Sequence, residues 1–276
     1  MRKLKLVLGL LFLPVTVCAQ LKPDAVHIKV RNLALVGATQ ISAAEQQQIA
    51  SEINRLALFA DSVDGVSERV RYALQERGFV RAFVDPPDVK VVSSSPSEDI
   101  IDATYHVDLG QQYRLKEIAF SNVTPDKGFA LPVTELRQSF PIVDGEVFNV
   151  EKIRNGLEKL RELYADHGYV NFTPVPNTDA NGQLDTITLR IDVDEGLIYR
   201  LGRLVLEGVE PAAGAGAKLV QAWKPYEGQV FSPKLLQGFA RENTAYLPPN
   251  AMLFPTPDGF HRVVNVLLEL DPAPTN

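Results

Sequence analysis

Cysteine is nearly absent from this sequence of 276 residues. The single cysteine, Cys18, lies close to the N-terminus, so the chain beyond it contains none. A disulfide, a thiolate zinc site and a cysteine nucleophile are therefore excluded for residues 19–276. Such a chain must be stabilised by hydrophobic cores, and its 45% hydrophobic and 22% charged residues are close to ordinary globular usage.

An excess of positive charge is also missing. The chain has 28 Lys and Arg residues against 34 Asp and Glu residues, and losing Arg2, Lys3 and Lys5 with an N-terminal segment would change the net charge from −6 to −9. Nucleic acids and anionic lipid surfaces are bound by clustered Lys and Arg side chains. The composition therefore argues against both as partners.

Only one long apolar run is present, at residues 6–17, and it is shorter than the roughly 20 residues that cross a bilayer. Basic residues precede it and Ala19 follows it, which is the layout of a secretory signal peptide over residues 1–19. We expect an exported chain with no membrane span, in the periplasm or associated with an outer membrane. An uncleaved N-terminal anchor and lipid attachment at Cys18, next to the bulky Val17, are the alternatives.

Motifs of catalysis and cofactor binding are missing as well. The four histidines, His27, His106, His167 and His261, are too far apart for zinc-like spacing. The sequence has no nucleophile elbow, phosphate-binding loop or dinucleotide fingerprint. We therefore predict no catalytic residue, no metal and no cofactor. An exported hydrolase is the weakest alternative.

Two polar clusters of the sequence are candidate sites. The first has oxygen-bearing side chains at alternate positions like the front of a calcium loop, but Thr188 stands where a bidentate Glu is needed and Asn-Gly favours a hairpin turn. Its residues are Asn177, Asp179, Asn181, Gly182 and Asp185.

The second cluster consists of Asp192, Asp194 and Glu195 beside Gly196. An acid/base pair is one interpretation of these carboxylates. A solvated strand end is the favoured one, because Asp192 and Asp194 alternate with the apolar Ile191 and Val193.

An internal repeat organises the remaining sequence. Residues 107–115 and 193–201 share six identities in nine positions at an offset of 86. Gly78-Phe79 and Gly168-Tyr169 each follow a helical stretch, and a Gly-x-Val-Phe motif at Gly145 recurs at Gly228. We predict three copies, at residues 26–112, 113–198 and 199–271, of which the third is degenerate because it lacks the glycine–aromatic pair.

Each copy is predicted to have the order β-α-α-β-β. In the middle copy these are strand 114–120, helix 133–140, a helix from Asn149 to Gly168, an edge strand 172–176 and strand 186–193, with a turn at 177–182. In the first copy, the edge strand within residues 79–92 is predicted to be broken at Pro86-Pro87, with candidate edges at 80–84 and 89–92. The third copy has a predicted loop at 212–217 and the segment 248–250 in place of the glycine–aromatic pair, and Trp223 has no assigned role. The expected fold class is α+β, with a three-stranded mixed sheet covered on one face by two helices in every copy.

The ordered set of motifs resembles the polypeptide-transport-associated (POTRA) domain of outer-membrane assembly factors and surface antigens. Leu109 departs from the pattern, since an acidic residue usually precedes this glycine. The glycines favour backbone roles, and Tyr113 and Tyr199 favour core or inter-domain packing. The residues that carry the resemblance are Gly78, Phe79, Gly110, Tyr113, Gly145, Phe148, Tyr164, Gly168, Tyr169, Gly196 and Tyr199.

The resemblance implies a periplasmic module that binds unfolded outer-membrane polypeptides or an outer-membrane β-barrel partner by strand addition at sheet edges. Relatives that insert proteins usually continue into a β-barrel; only five residues follow Asp271, so we expect none in this chain. A structural spacer that docks one folded partner is the alternative. The edge residues expected to bind partners are Val80, Phe83, Val84, Val89, Val91, Phe172 and Val175.

Overall fold

A computed structural model describes residues 27–55, 62–208, 214–247 and 251–270. The predicted signal peptide, Cys18 and the segment 248–250 lie outside these ranges. The described residues form two compact units, the first within 1–73 and 83–108 and the second within 74–82 and 109–276. Among the described residues, no helix combines the length and apolarity that crossing a membrane requires.

The first sheet belongs to the first unit. Its central strand, β4, pairs in parallel with β1 and antiparallel with both β2 and β3, which follow one another along the same edge. The predicted interruption of this edge strand at Pro86-Pro87 is confirmed. The elements are β1 (His27–Val36), α1 (Ala43–Ile53), α2 (Val63–Gln75), β2 (Phe83–Val84), β3 (Asp88–Ser94) and β4 (Glu98–Asp108).

The second unit contains two further sheets. The second sheet has β5 (Arg114–Asn122), α3 (Val133–Gln138), α4 (Val150–Asp166), β6 (Thr173–Asn181) and β7 (Thr186–Asp194). The third has β8 (Arg200–Gly208), α5 (Ala215–Trp223), a 3-10 turn (Lys224–Tyr226), α6 (Pro233–Glu242), β9 (Met252–Asp258) and β10 (Val263–Leu270). In both, the last strand lies in the centre, parallel to the first strand and antiparallel to the one before it. The predicted fold class is confirmed.

The longest helix, α4, begins and ends as its sequence predicts. The Asn149 side chain accepts a hydrogen bond from the Lys152 amide at 2.8 Å, which satisfies one of the free amides of the first turn. Gly168 follows the helix with a φ of +87°, a conformation that favours glycine. The apolar face of α4 packs on the buried face of β7, where Leu189 and Ile191 are fully enclosed.

Trp223, unassigned from sequence, lies at the centre of the third core. It is fully buried, packs edge-on against Phe239, and its indole nitrogen donates a hydrogen bond to the Gly202 carbonyl at 2.9 Å. The predicted loop at 212–217 is wrong in its second half, because α5 begins at Ala215 and is fastened to this core by Leu219. The expected three-stranded sheet requires strand β9, but its position was not predicted, because Pro255 and Pro257 weaken its strand pattern.

The predicted turn at residues 177–182 is wrong over 177–181, although Gly182 does lie in the hairpin turn that Asn-Gly favours. Strand β6 continues through Asn181, and the turn lies between it and Thr186. Asn177 to Asn181 pair in register with Arg190 to Thr186 of β7. The ladder of backbone hydrogen bonds outweighs the turn preference of the Asn and Asp residues, since that preference is weak compared with pairing to an adjacent strand.

Candidate functional site

The candidate site is an unpaired sheet edge, so the state of each edge strand decides where a partner strand could bind. The edge of β1 is occupied by side chains that follow or belong to α1. The Val30 amide donates to Asn54 Oδ1 at 2.9 Å, and Asn54 Nδ2 donates to the Val30 carbonyl at 2.8 Å. The Leu35 amide donates to Gln46 Oε1 at 3.1 Å. Helix α1 thereby closes this edge.

The outer edges of β5 and β8 are hydrogen-bonded at their first residues to the backbone of another segment. The Leu115 amide donates to the Glu146 carbonyl at 2.8 Å, and the Gly145 amide donates to the Leu115 carbonyl at 2.7 Å. In β8 the Leu201 amide donates to the Gln229 carbonyl, and the Gly228 amide to the Leu201 carbonyl, both at 2.8 Å. A short segment before α4 or α6 therefore covers the start of each of these edges.

Among the described residues, strand β3 pairs only with β4, which leaves its other edge free. The Asp85 amide donates to the His106 carbonyl at 3.0 Å, which shows that even-numbered residues of β4 direct their backbone groups toward β2 and β3. Lys90 pairs with Asp102, so Lys90 hydrogen-bonds to β4. Val89 and Val91, which alternate with it, therefore direct their N–H and C=O groups away from the sheet.

The side chains of β3 are as open as its backbone. All seven residues of the strand are exposed, with Val89 at 38% and Val91 at 57% of full exposure. These two valines lie opposite the buried Ala103 and Ile101 of β4 and so share the apolar face of the sheet. An exposed edge strand with apolar side chains is a template for pairing with another chain.

The corresponding edges of the other two sheets carry prolines. Pro174 and Pro176 lie in β6, and Pro255 and Pro257 lie in β9. Because proline has no N–H, each must occupy a position whose backbone faces away from the central strand. The free edges of β6 and β9 therefore each lack two of the donors that a partner strand would use, whereas β3 contains no proline.

Two of the seven predicted partner-binding residues lie elsewhere. Val80 is in the turn before β2 and packs against the second core, so the predicted edge strand 80–84 is only the pair Phe83–Val84. Phe172 precedes β6, is buried, and stacks on Tyr164 with ring centroids 3.9 Å apart. An aromatic ring on the core side of the chain is removed from solvent by that contact.

The other five lie on edge strands. Phe83 and Val175 are exposed, Val84 is half-buried, and Val89 and Val91 lie on the free edge described above.

The repeated motif residues form a glycine–tyrosine contact that occurs twice within the second unit. The Tyr199 amide donates to the Gly168 carbonyl at 2.9 Å, and the Phe231 amide donates to the Tyr199 carbonyl at 2.9 Å. A Cβ atom on Gly168 would lie 2.7 Å from Val230 Cγ1 and 3.0 Å from the Tyr199 carbonyl oxygen. The position requires glycine, both for its φ and for this close approach.

The same contact is formed by the equivalent residues earlier in the chain. The Tyr113 amide donates to the Gly78 carbonyl, and the Phe148 amide to the Tyr113 carbonyl, both at 2.9 Å. A Cβ atom on Gly78 would lie 2.8 Å from both Val147 Cγ1 and the Tyr113 carbonyl oxygen. Gly78 and Gly168 are therefore packing positions, and Tyr113 and Tyr199 are buried in the second and third cores, in keeping with the packing role expected of the two tyrosines.

Helix caps add a second contact near each glycine. Asn149, which caps α4, also donates through Nδ2 to the Glu76 carbonyl at 2.8 Å. Ser232, which caps α6, donates through Oγ to Asp166 Oδ1 at 2.9 Å, and Lys234 pairs with the same carboxylate at 2.5 Å. The helix start in one copy thus bonds to the end of the preceding helix.

Glu195 is a buried carboxylate, which contradicts its interpretation as part of a solvated strand end. It accepts hydrogen bonds from the Ala130 amide at 2.7 Å and the Tyr164 hydroxyl at 2.9 Å, and Lys127 Nζ lies 3.2 Å away. Burial, and secondarily this hydrogen bond, raise the pKa of Tyr164 above its ordinary value. Glu195 therefore fastens the segment after β5 to the end of β7.

Asp192 and Asp194 have local partners instead. Asp192 accepts from Ser121 at 2.5 Å and from Asn177 at 3.0 Å, and Asp194 accepts from the Gly196 amide at 3.1 Å. Asp192 and Asp194 thus bond locally on their strand end, whereas Glu195 is buried with partners of its own.

The calcium-loop geometry is not formed. Asn177, Asp179 and Asn181 lie on a strand, where alternate side chains are separated by about 7 Å and do not close around one ion. Asp179 pairs instead with Arg190 at 3.0 Å. Within the ranges that the structure describes, no group of three or more His, Cys, Asp or Glu residues is placed to hold a metal ion.

Comparison with known proteins agrees with this architecture. Residues 113–196 match the family model described as POTRA, surface antigen variable number repeat. The crystal structure of Haemophilus influenzae BamA POTRA3-5 matches with a TM-score of 0.61 and 18% sequence identity, covering 91% of this chain and 100% of that one. POTRA1-3 of the periplasmic domain of Omp85 from Anabaena matches with 15% identity over 87% of this chain and 93% of that one, at a TM-score of 0.35.

The resemblance drawn from the motifs is therefore confirmed. The family match covers the middle copy, and the BamA superposition shows that the chain has the fold of tandem POTRA domains.

Proposed function

We propose that this chain is a non-catalytic, periplasmic polypeptide-binding scaffold for outer-membrane protein assembly or secretion, and that it binds extended polypeptides by strand addition at β3. The proposal includes export by residues 1–19 and three POTRA-like domains at 26–112, 113–198 and 199–271. The observation that carries it is the free edge of β3, which has outward backbone groups, no proline and exposed valines.

The chemistry of this edge suits unfolded outer-membrane polypeptides. Val89 and Val91 offer two N–H and two C=O groups to a partner strand, and backbone hydrogen bonds do not depend on the partner's sequence. The two valine side chains form an apolar strip on one face only. Strands of outer-membrane barrels alternate apolar and polar residues, so one face of such a strand matches this strip.

The expected affinity is low. A net hydrogen bond contributes about 1 kcal/mol, so four of them contribute about 4 kcal/mol, which corresponds to a Kd near the millimolar range. The valine contacts would lower this Kd further. Weak, sequence-tolerant binding suits a module that must release its polypeptide.

Substitution of Val91 by proline tests the proposal. Proline removes one outward N–H and keeps the hydrogen bonds between β3 and β4. Pro174 in β6 likewise lacks an outward N–H while its strand stays paired with β7. The probe is a fluorescent ten-residue peptide of alternating tyrosine and threonine with lysine ends, and fluorescence anisotropy reports its binding. We expect Val91→Pro to weaken binding by roughly tenfold, since it removes a hydrogen bond and disfavours the approach of a partner strand.

Val91→Thr is the matched control, because it keeps the backbone donor and a β-branched shape. It should change the affinity by no more than about threefold. Equal affinities of the wild-type chain and Val91→Pro, with both folded by circular dichroism, would exclude β3 as the binding edge.

A rigid spacer is the second candidate. The glycine–tyrosine contact between Gly168 and Tyr199, together with the Ser232–Asp166 bond, favours it because both link the middle and third copies. It predicts tight binding to one folded partner and no binding of the alternating peptide at any concentration.

A further inference from the structure

The third sheet exposes an apolar row on the face opposite its helices. Helices α5 and α6 cover one face, where Leu219, Trp223 and Phe239 form the core. On the other face, Leu267 of β10 pairs with Phe254 of β9 on one side and with Val205 of β8 on the other. These three side chains therefore lie in register across the whole sheet.

The row is accessible and is extended along β9. Phe254 and Val205 retain 38% and 39% of their full exposure, and Met252, two residues before Phe254, retains 54%. Residues two apart on a strand point to the same face, so Met252 continues the apolar surface. We call Met252, Phe254, Leu267 and Val205 the open-face patch.

The second sheet shows that an open face in this fold need not be apolar. Its equivalent rows are formed by Asn177, Arg190 and Ala119, and by Val175, Asp192 and Ser121. Their polar side chains bond to one another: Asp192 accepts from Ser121 and Asn177, and Arg190 pairs with Asp179. That face satisfies its own polar groups, whereas the open-face patch has apolar groups in contact with water.

Two carboxylates border the patch. Glu269 of β10 pairs directly with Glu207 of β8, one row from Leu267 and Val205, and both side chains are exposed. Like charges directly opposite each other on neighbouring strands are destabilising. Neither has a basic partner among the described residues, and the segments 209–213 and 271–276 contain Glu210 and Asp271 but no lysine or arginine.

We propose that the open-face patch docks an amphipathic helix of a partner protein, whose apolar stripe packs on Phe254, Leu267 and Val205 and whose lysine or arginine residues pair with Glu207 and Glu269. The outer strands of a three-stranded sheet are about 10 Å apart, and a helix with its side chains is about 10 Å wide. The negative charge of Glu207 and Glu269 favours a basic helix over the other possible partners. A second copy of this chain would bring four carboxylates together, and an anionic membrane would be repelled.

This surface differs from the free edge of β3 in the chemistry it offers. The edge offers backbone groups to an extended strand, and the patch offers side chains to a folded helix. Loss of either function should leave the other unchanged, which allows the two proposals to be separated.

Binding of two designed peptides to the full chain tests the inference. One peptide is an 18-residue fluorescent helix with a leucine stripe bordered by lysines, and its twin has glutamate in place of every lysine. We expect the lysine peptide to bind at least about tenfold more tightly at low ionic strength, because only it can pair with Glu207 and Glu269. The double variant Phe254→Ser with Leu267→Thr should lose binding of the lysine peptide.

Charge reversal keeps the test informative if the apolar variant fails to fold. Glu207→Lys with Glu269→Lys should reverse the preference, so that the glutamate peptide binds more tightly. The control is Glu117→Lys, on the open face of the second sheet opposite Thr188, which should leave both affinities unchanged.

Several outcomes overturn the inference. Equal affinity of the two peptides, an unchanged preference after charge reversal, or a reversal caused by Glu117→Lys would each show that the border does not select the partner. Concentration-dependent dimerisation that Phe254→Ser abolishes would assign the patch to a second copy, and sedimentation with anionic vesicles that the same variant abolishes would assign it to a membrane.

Discussion

The glycine–tyrosine contacts and the sheet edges of this chain differ in how faithfully they repeat. Gly168 and Tyr199 reproduce the hydrogen bond of Gly78 and Tyr113 at the same length. The edges do not repeat: β3 has two outward donors that β6 and β9 lack at their prolines. The contacts that link successive elements and the surfaces offered to partners are therefore set by separate residues.

The physical reason lies in the space around each feature. At Gly168 even a methyl group would overlap Val230, so that position accepts no other side chain without rearrangement. At the exposed Pro176 of β6, by contrast, replacing proline by another residue mainly adds a backbone donor that faces solvent. The glycine–tyrosine contact is therefore constrained by packing, whereas the exposed residues of a free sheet edge are not.

The largest effect is expected at Glu195, where the repeated stretches 107–115 and 193–201 differ in charge. Glu195 occupies the place of Leu109 and holds the Ala130 amide and the Tyr164 hydroxyl in the interior. Glu195→Leu leaves both donors unsatisfied, and we expect it to lower the free energy of unfolding by about 4 kcal/mol in urea titrations.

Glu195→Gln is the control, because its carbonyl oxygen still accepts both hydrogen bonds. It should cost only about 1 kcal/mol, from the lost pairing with Lys127. Equal losses for the two variants would show that charge, rather than hydrogen bonding, stabilises this position.

Breaking the glycine–tyrosine contact should have the next largest effect. Gly168→Ala introduces strain at a φ of +87° and overlap with Val230, so we expect a loss of about 3 kcal/mol. Gly145→Ala is matched, since its φ is +85° but no atom lies within 4 Å of the added methyl group. It should lose about 1 kcal/mol in the same urea titration. The idea of a close-packed contact fails if the two losses are alike.

Restoring a donor to β6 should have the smallest effect. Pro176→Val returns an outward N–H group at an exposed position of the second sheet, whereas the buried Pro174 is left unchanged. One hydrogen bond of about 1 kcal/mol should raise the affinity for the alternating peptide by roughly fivefold at this edge. The same change in a Val91→Pro background isolates β6, and no recovery of peptide binding there would refute the role of Pro176.

Much of the fold was predictable because local signals agree with the tertiary structure. Asn149 and Gly168 mark the limits of α4, and the alternation along β7 identifies its buried face. The interruption of the first edge at Pro86-Pro87 was predicted for the same reason, since proline acts through the backbone of its own strand.

The rest depends on contacts distant in sequence. Glu195 is buried beside Ala130, which lies 65 residues before it, and no local sequence pattern predicts this contact. Asn177 to Asn181 have turn-forming residues, yet pairing with β7 makes them a strand. For Phe172 a signal was available: it follows Tyr169 by three residues, and both rings pack on Tyr164.

The helix caps have a consequence for folding. Ser232 starts α6 while bonding to Asp166, the last residue of α4, so the initiation of one helix depends on the completed end of another. Nearest-neighbour coupling of this kind makes successive repeats unfold together. Amide hydrogen exchange in α6 should therefore follow the opening of α4. If the chain is divided between residues 198 and 199, each of the two fragments should unfold less cooperatively than the intact chain, although each keeps its own core.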